Sequence, residues 1–132
     1  MSNLKVIELF SGIGAQAKAL ERLEVEHEIV ATSDLDKDAI VSYAAIHNGL
    51  TLEMIENYPD YPSREDMAEY LQKLNIGYDF KKDKPYDWNK LARRKAKYIE
   101  KYYLATIISK QVGDVSKVEK LPKADLWTYS FP

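Results

Sequence analysis

The sequence predicts an α/β fold on a parallel sheet. Three observations carry this: two strand-to-helix units within the first fifty residues, a glycine-broken turn after the first strand, and another strand-like segment ending near Tyr129. Composition agrees, since 132 residues that are 45% apolar and 30% charged match an ordinary globular chain rather than a disordered, fibrous or membrane-spanning one. There is no cysteine, so disulfide scaffolds, cysteine zinc sites and thiol chemistry are excluded for these residues, and no metal site is expected. The N-terminus runs into a short strand-like stretch, not a signal peptide or transmembrane segment, so a cytoplasmic protein with no membrane partner is the expectation.

Lys5-Val-Ile-Glu-Leu-Phe10 reads as a buried strand, and Ser11-Gly-Ile-Gly14 breaks it before an Ala- and Leu-rich helix from about Ala15 to Leu23. Glu28 to Ser33 is a second strand, followed by Asp34-Leu-Asp-Lys and a helix that stops at Asn48-Gly49. Residues 50–105 differ in texture and read as a helical insertion within a single domain over 1–132. In it, Ser63-Arg-Glu-Asp66 is a capping box for a helix to Leu74, and Asp87 caps a long helix whose apolar stripe is Trp88, Leu91, Tyr98, Tyr102 and Ala105. Ile107 to Val112 is expected as a third strand leading to Gly113-Asp114, and Ala124 to Tyr129 as a fourth. Charge is uneven: residues 81–101 hold nine Lys/Arg against three Asp/Glu. A solvated helix face explains this stretch more simply than a phosphate-binding surface does.

A strand ending in Phe10-Ser-Gly-Ile-Gly14 and turning into a helix is expected to expose backbone N–H groups to a nucleotide or carboxylate, because glycine permits the turn and the close approach. The pattern lacks the last glycine of the dinucleotide fingerprint, and a structural tight turn is as common. Asp34, twenty residues beyond Gly14, is placed to accept ribose hydroxyls, against an alternative as helix N-cap. Asp114 falls on the same strand-end rim, as an acceptor for an adenine amino group or as a simple turn residue.

Taken in order, these blocks resemble the cytosine-5 DNA methyltransferase family. Glu8-Leu-Phe-Ser-Gly-Ile-Gly14 is similar to its first motif, Asp34-Leu-Asp-Lys-Asp-Ala39 with Tyr43 and Asn48 to its second, Gly113-Asp-Val115 to its third, and Trp127-Thr-Tyr-Ser-Phe-Pro132 to the approach to its Pro-Cys-Gln motif. The resemblance covers about residues 3–49 and 107–132. It implies a Rossmann-like sheet of order 3-2-1-4 that binds S-adenosylmethionine through Phe10, Ser11, Gly12, Ile13, Gly14, Asp34, Leu35, Asp114 and Phe131. Three positions depart from the family pattern: Ala15 replaces a frequent glycine, Asp34 is a methylene shorter than the usual Glu, and Leu35 takes the place of an aromatic that stacks on adenine.

In the family, a cysteine thiolate attacks C6 of a flipped cytosine, and no cysteine is present among these residues. The resemblance therefore implies the cofactor-binding N-terminal part of a DNA methyltransferase from a restriction-modification or phage setting, as a truncated chain or one chain of a split enzyme, inactive alone. No catalytic residue is assigned. A tRNA-methylating relative shares the same opening motifs, and a stand-alone cofactor- or partner-binding module is a further reading, with nicotinamide binding the weakest. DNA is the expected substrate of the complete enzyme. A complementing C-terminal chain, or a second copy pairing along the open edge of the last strand, is the expected partner, and the insertion is expected away from the cofactor rim, over the far edge or flank of the sheet.

Overall fold

A computed structural model of the chain describes residues 3–94, 96–118 and 120–129. Its centre is a parallel sheet of β1 (Leu4–Leu9), β2 (His27–Ser33) and β5 (Leu126–Tyr129), in the order β2-β1-β5. In β1, Val6, Ile7 and Glu8 are all fully buried, as expected of a strand with neighbours on both sides. Register runs from Leu4 opposite His27 to Leu9 opposite Ser33, and from Val6 opposite Leu126 to Leu9 opposite Tyr129. The protein is thus an α/β chain with a partial methyltransferase-type Rossmann-like sheet.

Helices α1 (Ala15–Arg22) and α2 (Lys37–His47) follow the first two strands. Thr51 and Ser63 cap α3 (Leu52–Asn57) and α4 (Arg64–Lys73), each side chain accepting a backbone N–H three residues on. A two-residue hairpin, β3 (Tyr78–Asp79) with β4 (Lys84–Pro85), leads to α5 (Trp88–Arg94) and α6 (Ala96–Ile108). The largest apolar cluster lies among these helices and α2: Ile40, Leu71, Ile76, Trp88, Ile99 and Leu104 are each at most 2% exposed. The buried Trp88 indole donates to the Ile76 carbonyl at 2.7 Å, so its one polar atom is satisfied.

Three expectations are corrected. Ile107 and Ile108 close α6 instead of opening a third strand, and only Gln111 forms a parallel bridge, to Thr32 of β2. The reason is local: Lys110 (φ 56°) and Gly113 (φ 78°) both turn left-handed, leaving room for one bridged residue between them. The order 3-2-1-4 survives with its third position reduced to that bridge. The helix expected after Asp87 is present over Trp88–Arg94 and Ala96–Ile108, residue 95 lying outside the described residues. Of its stripe, Trp88, Tyr102 and Ala105 are buried and Leu91 is half-buried, but Tyr98 is 48% exposed and Ile99 enters the core instead.

The insertion, finally, is not remote from the strand ends. The Gly77 and Tyr78 amides donate to the Leu35 carbonyl at 2.7 and 3.3 Å, which seats the hairpin just beyond β2 on the rim that carries Asp34. Neither α3 nor the hairpin is anticipated by the periodicity, being shorter than the windows in which a period can be read.

Candidate functional site

The expected site lies where β1 and β2 leave the sheet. After Leu9 the backbone turns left-handed at Phe10 (φ 52°) and Gly12 (φ 53°), and Gly14 (φ 83°) becomes the N-cap of α1. Gly14 is required by packing as well as by φ, because a Cβ there would strike the His47 ring at Nε2 and lie 2.7 Å from Tyr43 Cε2. A Cβ on Gly12 would meet nothing within 4 Å, so this part of the turn faces open space.

The turn does not offer its amides as the sequence predicts. Ser11 N–H donates to the Ser33 carbonyl at 2.9 Å, Gly12 N–H to Asp34 Oδ2 at 2.6 Å, and Gly14 N–H to the Ser11 carbonyl at 2.8 Å. Two of these donors bind the strand ends to each other, and the third closes the turn on itself. Ser11 is buried, Phe10 is 38% exposed and Ile13 is 59% exposed.

Asp34 is not a helix cap. Asp36 takes that role for α2, its Oδ1 accepting from the Asp38 and Ala39 amides at 2.9 and 3.2 Å. Asp34 Oδ1 accepts from the Asp36 amide at 2.8 Å. Asp114 does cap, receiving Ser116 N–H and Oγ–H on Oδ1 at 3.0 and 2.7 Å at the start of a 3₁₀ turn, and the Asn75 side-chain Nδ2–H on Oδ2 at 3.1 Å. Leu35 is half-buried, with its carbonyl holding the hairpin. Phe131 lies outside the described residues.

Two groups that organise this rim were missed. Gln111, 6% exposed, uses one Oε1 to accept from the Asp34 amide at 2.8 Å and the Gly113 amide at 3.1 Å, and Ser33 Oγ–H donates to the Gly113 carbonyl at 2.6 Å. The acidic loop after β2 and the Gly113-Asp114 turn are therefore one unit. No local sequence signal marks Gln111, which stands between Lys110 and Val112.

Glu8, fully buried beneath the glycine turn, accepts the Tyr43 hydroxyl at 2.8 Å on Oε1, while Oε2 has no partner among the described residues. Burial pushes its carboxyl above the ordinary range, with the Tyr43 hydrogen bond opposing, and Tyr43 is raised by burial and by the Glu8 charge. The Tyr43 ring packs 4.6 Å from that of His47, whose Nε2 lies 2.9 Å from the Ile13 carbonyl. A carbonyl only accepts, so Nε2 carries the hydrogen in this contact. A chain of contacts thus runs from the middle of the sheet through α2 to the glycine turn.

A parallel sheet whose strand ends join a glycine turn to an acidic loop places the molecule among α/β proteins of the Rossmann-like methyltransferase class. The profile of the C-5 cytosine-specific DNA methylase family matches residues 4–70, and the chain belongs to that family. It is 34% identical over 131 residues to the type II methyltransferase M2.ScrFI of Lactococcus lactis subsp. cremoris, covering 98% of this chain and 35% of that protein. It is 36% identical over 135 residues to the orphan methyltransferase M.SssI of Spiroplasma monobiae, covering 98% and 34%, and 54% identical over 78 residues to the orphan methyltransferase M.SPBetaI of Bacillus phage SPbeta, covering 59% and 17%. The chain spans about a third of the length of the first two relatives. No helix among the described residues is long and apolar enough to cross a membrane.

Proposed function

We propose that this chain is the S-adenosylmethionine-binding N-terminal portion of a DNA cytosine-5 methyltransferase and that, alone, it transfers no methyl group. The observation that carries the reading is the Gly12–Asp34 junction. A carboxylate has about four acceptor positions. Asp34 uses one on each oxygen, for the Gly12 and Asp36 amides, which leaves capacity for both hydroxyls of a ribose. Gly12 presents open space beside it, where a side chain would intrude. The residues present therefore fit the cofactor. Phe10, Ile13 and the Ser11–Gly14 backbone would flank its methionine part, Asp34 its ribose, and Leu35 and Asp114 its adenine. Once bound, the cofactor supplies an electrophilic methyl group.

With no cysteine among the 132 residues, the family's covalent attack on cytosine has no nucleophile here. Methyl transfer then requires residues from the rest of an enzyme, and DNA is the substrate we propose for that whole. β5 pairs with β1 on one edge, and among the described residues no strand covers its other edge, where Trp127 is 47% exposed. That edge suits a complementing chain or a second copy. Light scattering that shows a strict monomer at high concentration would remove this last point.

Calorimetric titration with S-adenosylmethionine, with NAD as comparison, tests the main reading. Binding of the former alone is expected. Asp34→Ala should weaken it by about tenfold or more, as loss of charged hydrogen bonds of about 1.5–3 kcal/mol requires. An unchanged affinity would refute the ribose assignment. Labelled methyl appearing on cytosine in DNA with this chain alone would refute the proposed inactivity.

A further inference from the structure

The basic stretch of residues 81–101 has a definite place in the fold. The β3–β4 hairpin and α5 enclose a groove of about 240 Å³ to which Lys82, Lys84, Lys90 and Arg94 contribute, with Asp79 and Asp87 as its acids. All four cations are exposed, and among the described residues none has a carboxylate within ion-pair distance. Three lysines outside the groove do have such partners: Lys18 lies 3.2 Å from Glu21, Lys37 2.8 Å from Asp38 and Lys110 3.7 Å from Glu28. The two acids of the groove are engaged with backbone. Asp79 Oδ1 accepts from the Lys81 and Lys82 amides at 3.1 and 3.2 Å, and Asp87 Oδ1 from the Lys90 amide at 3.0 Å. Four cations against two carboxylates leave the groove positive.

Position adds to charge. The hairpin is seated on the Leu35 carbonyl, so the groove stands on the side of the sheet that carries Gly12 and Asp34. A site for one small phosphate would bury its donors and converge them on a point, whereas these four side chains are exposed and spread over two elements, as a repeating polyanion requires.

We propose that this groove binds the phosphate backbone of duplex DNA. The inference deepens the functional reading above and rests on it for the identity of the polyanion. The solvated-face reading of the stretch accounts for its exposure but not for a groove beside the rim in which four cations outnumber two carboxylates.

The test is fluorescence anisotropy of the full chain with a labelled DNA duplex across a salt series. The variants are K82Q/K84Q/K90Q/R94Q, and K18Q/K110Q as a control whose lysines already have carboxylate partners. The changed residues are exposed, and circular dichroism checks folding. The first variant should bind at least tenfold more weakly at low salt, with a log–log salt slope shallower by about 3–4, since each phosphate contact contributes about 0.9. The control should stay within twofold of the parent. Equal slopes in parent and first variant, an equal loss in the control, absence of DNA binding by the parent, or tighter binding of duplex RNA than DNA would each overturn the proposal. S-adenosylmethionine titrations in parallel keep the two readings separate. Unchanged cofactor binding in the DNA-deficient variant is expected, while DNA binding through the groove without cofactor binding by the parent would defeat the cofactor reading and leave the groove standing.

Discussion

The Gly12 amide donates to Asp34 Oδ2 across 2.6 Å, joining residues twenty-two positions apart at the ends of adjacent parallel strands. This bond gives the acidic side chain a fixed direction before any ligand arrives. It also means that a change at Asp34 disturbs the glycine turn as well as whatever Asp34 holds.

Gln111 is expected to matter more than its place in an irregular segment suggests. Gln111→Leu keeps the shape but removes the acceptor of the Asp34 and Gly113 amides, of which Gly113 is buried. A loss of about 1–3 kcal/mol in urea unfolding is expected, the usual penalty for stranding a buried donor, and a weaker response to S-adenosylmethionine should accompany it. Stability equal to the parent would mean that water replaces the side chain.

The two turn glycines should part company on replacement by alanine. At Gly12 only the left-handed backbone opposes a methyl group, which costs about 1–2 kcal/mol. At Gly14 the methyl also meets His47 and Tyr43, so about 2–4 kcal/mol is expected. Thermal melts of both variants give the order, and G12A should fold well enough to show whether filling the open space abolishes cofactor binding.

Stability should decline as pH rises because of Glu8. A carboxyl raised by burial holds its proton more tightly in the folded than in the unfolded chain. Its contribution is therefore intact below the unfolded pKa and is lost as pH climbs through the folded value. Glu8→Gln removes that titration, so the unfolding free energy of the variant minus that of the parent should increase from pH 4 to pH 8. A flat or falling difference would show that the fold prefers Glu8 ionised.

Trp88 anchors the insertion. Trp88→Phe strands the Ile76 carbonyl and should cost about 1–3 kcal/mol, while Trp88→Ala empties a fully buried site and should cost about 3–5 kcal/mol. Because Gly77 follows Ile76 and carries the hydrogen bond to Leu35, amide exchange at Gly77 should quicken in both variants.

Local chemistry alone determined β1, the glycine turn, α1, β2 and the start of α2, and with them the strand ends on which Phe10 to Gly14 and Asp34 stand. Glycine backbone, caps and short apolar runs act within a few residues, so they can be read without knowing what lies across the fold. The tertiary structure alone decided the rest. Whether Ile107 to Val112 extends a sheet or closes a helix depends on packing against α2, since six residues cannot separate a period of 2 from one of 3.6. Ile99 displaced Tyr98 from the core, and the hairpin came to the rim, through contacts with distant elements. Gln111 meets the Asp34 amide across seventy-seven positions, and a hydrogen bond of that span leaves no periodic mark in the chain, because its partner is supplied by the fold.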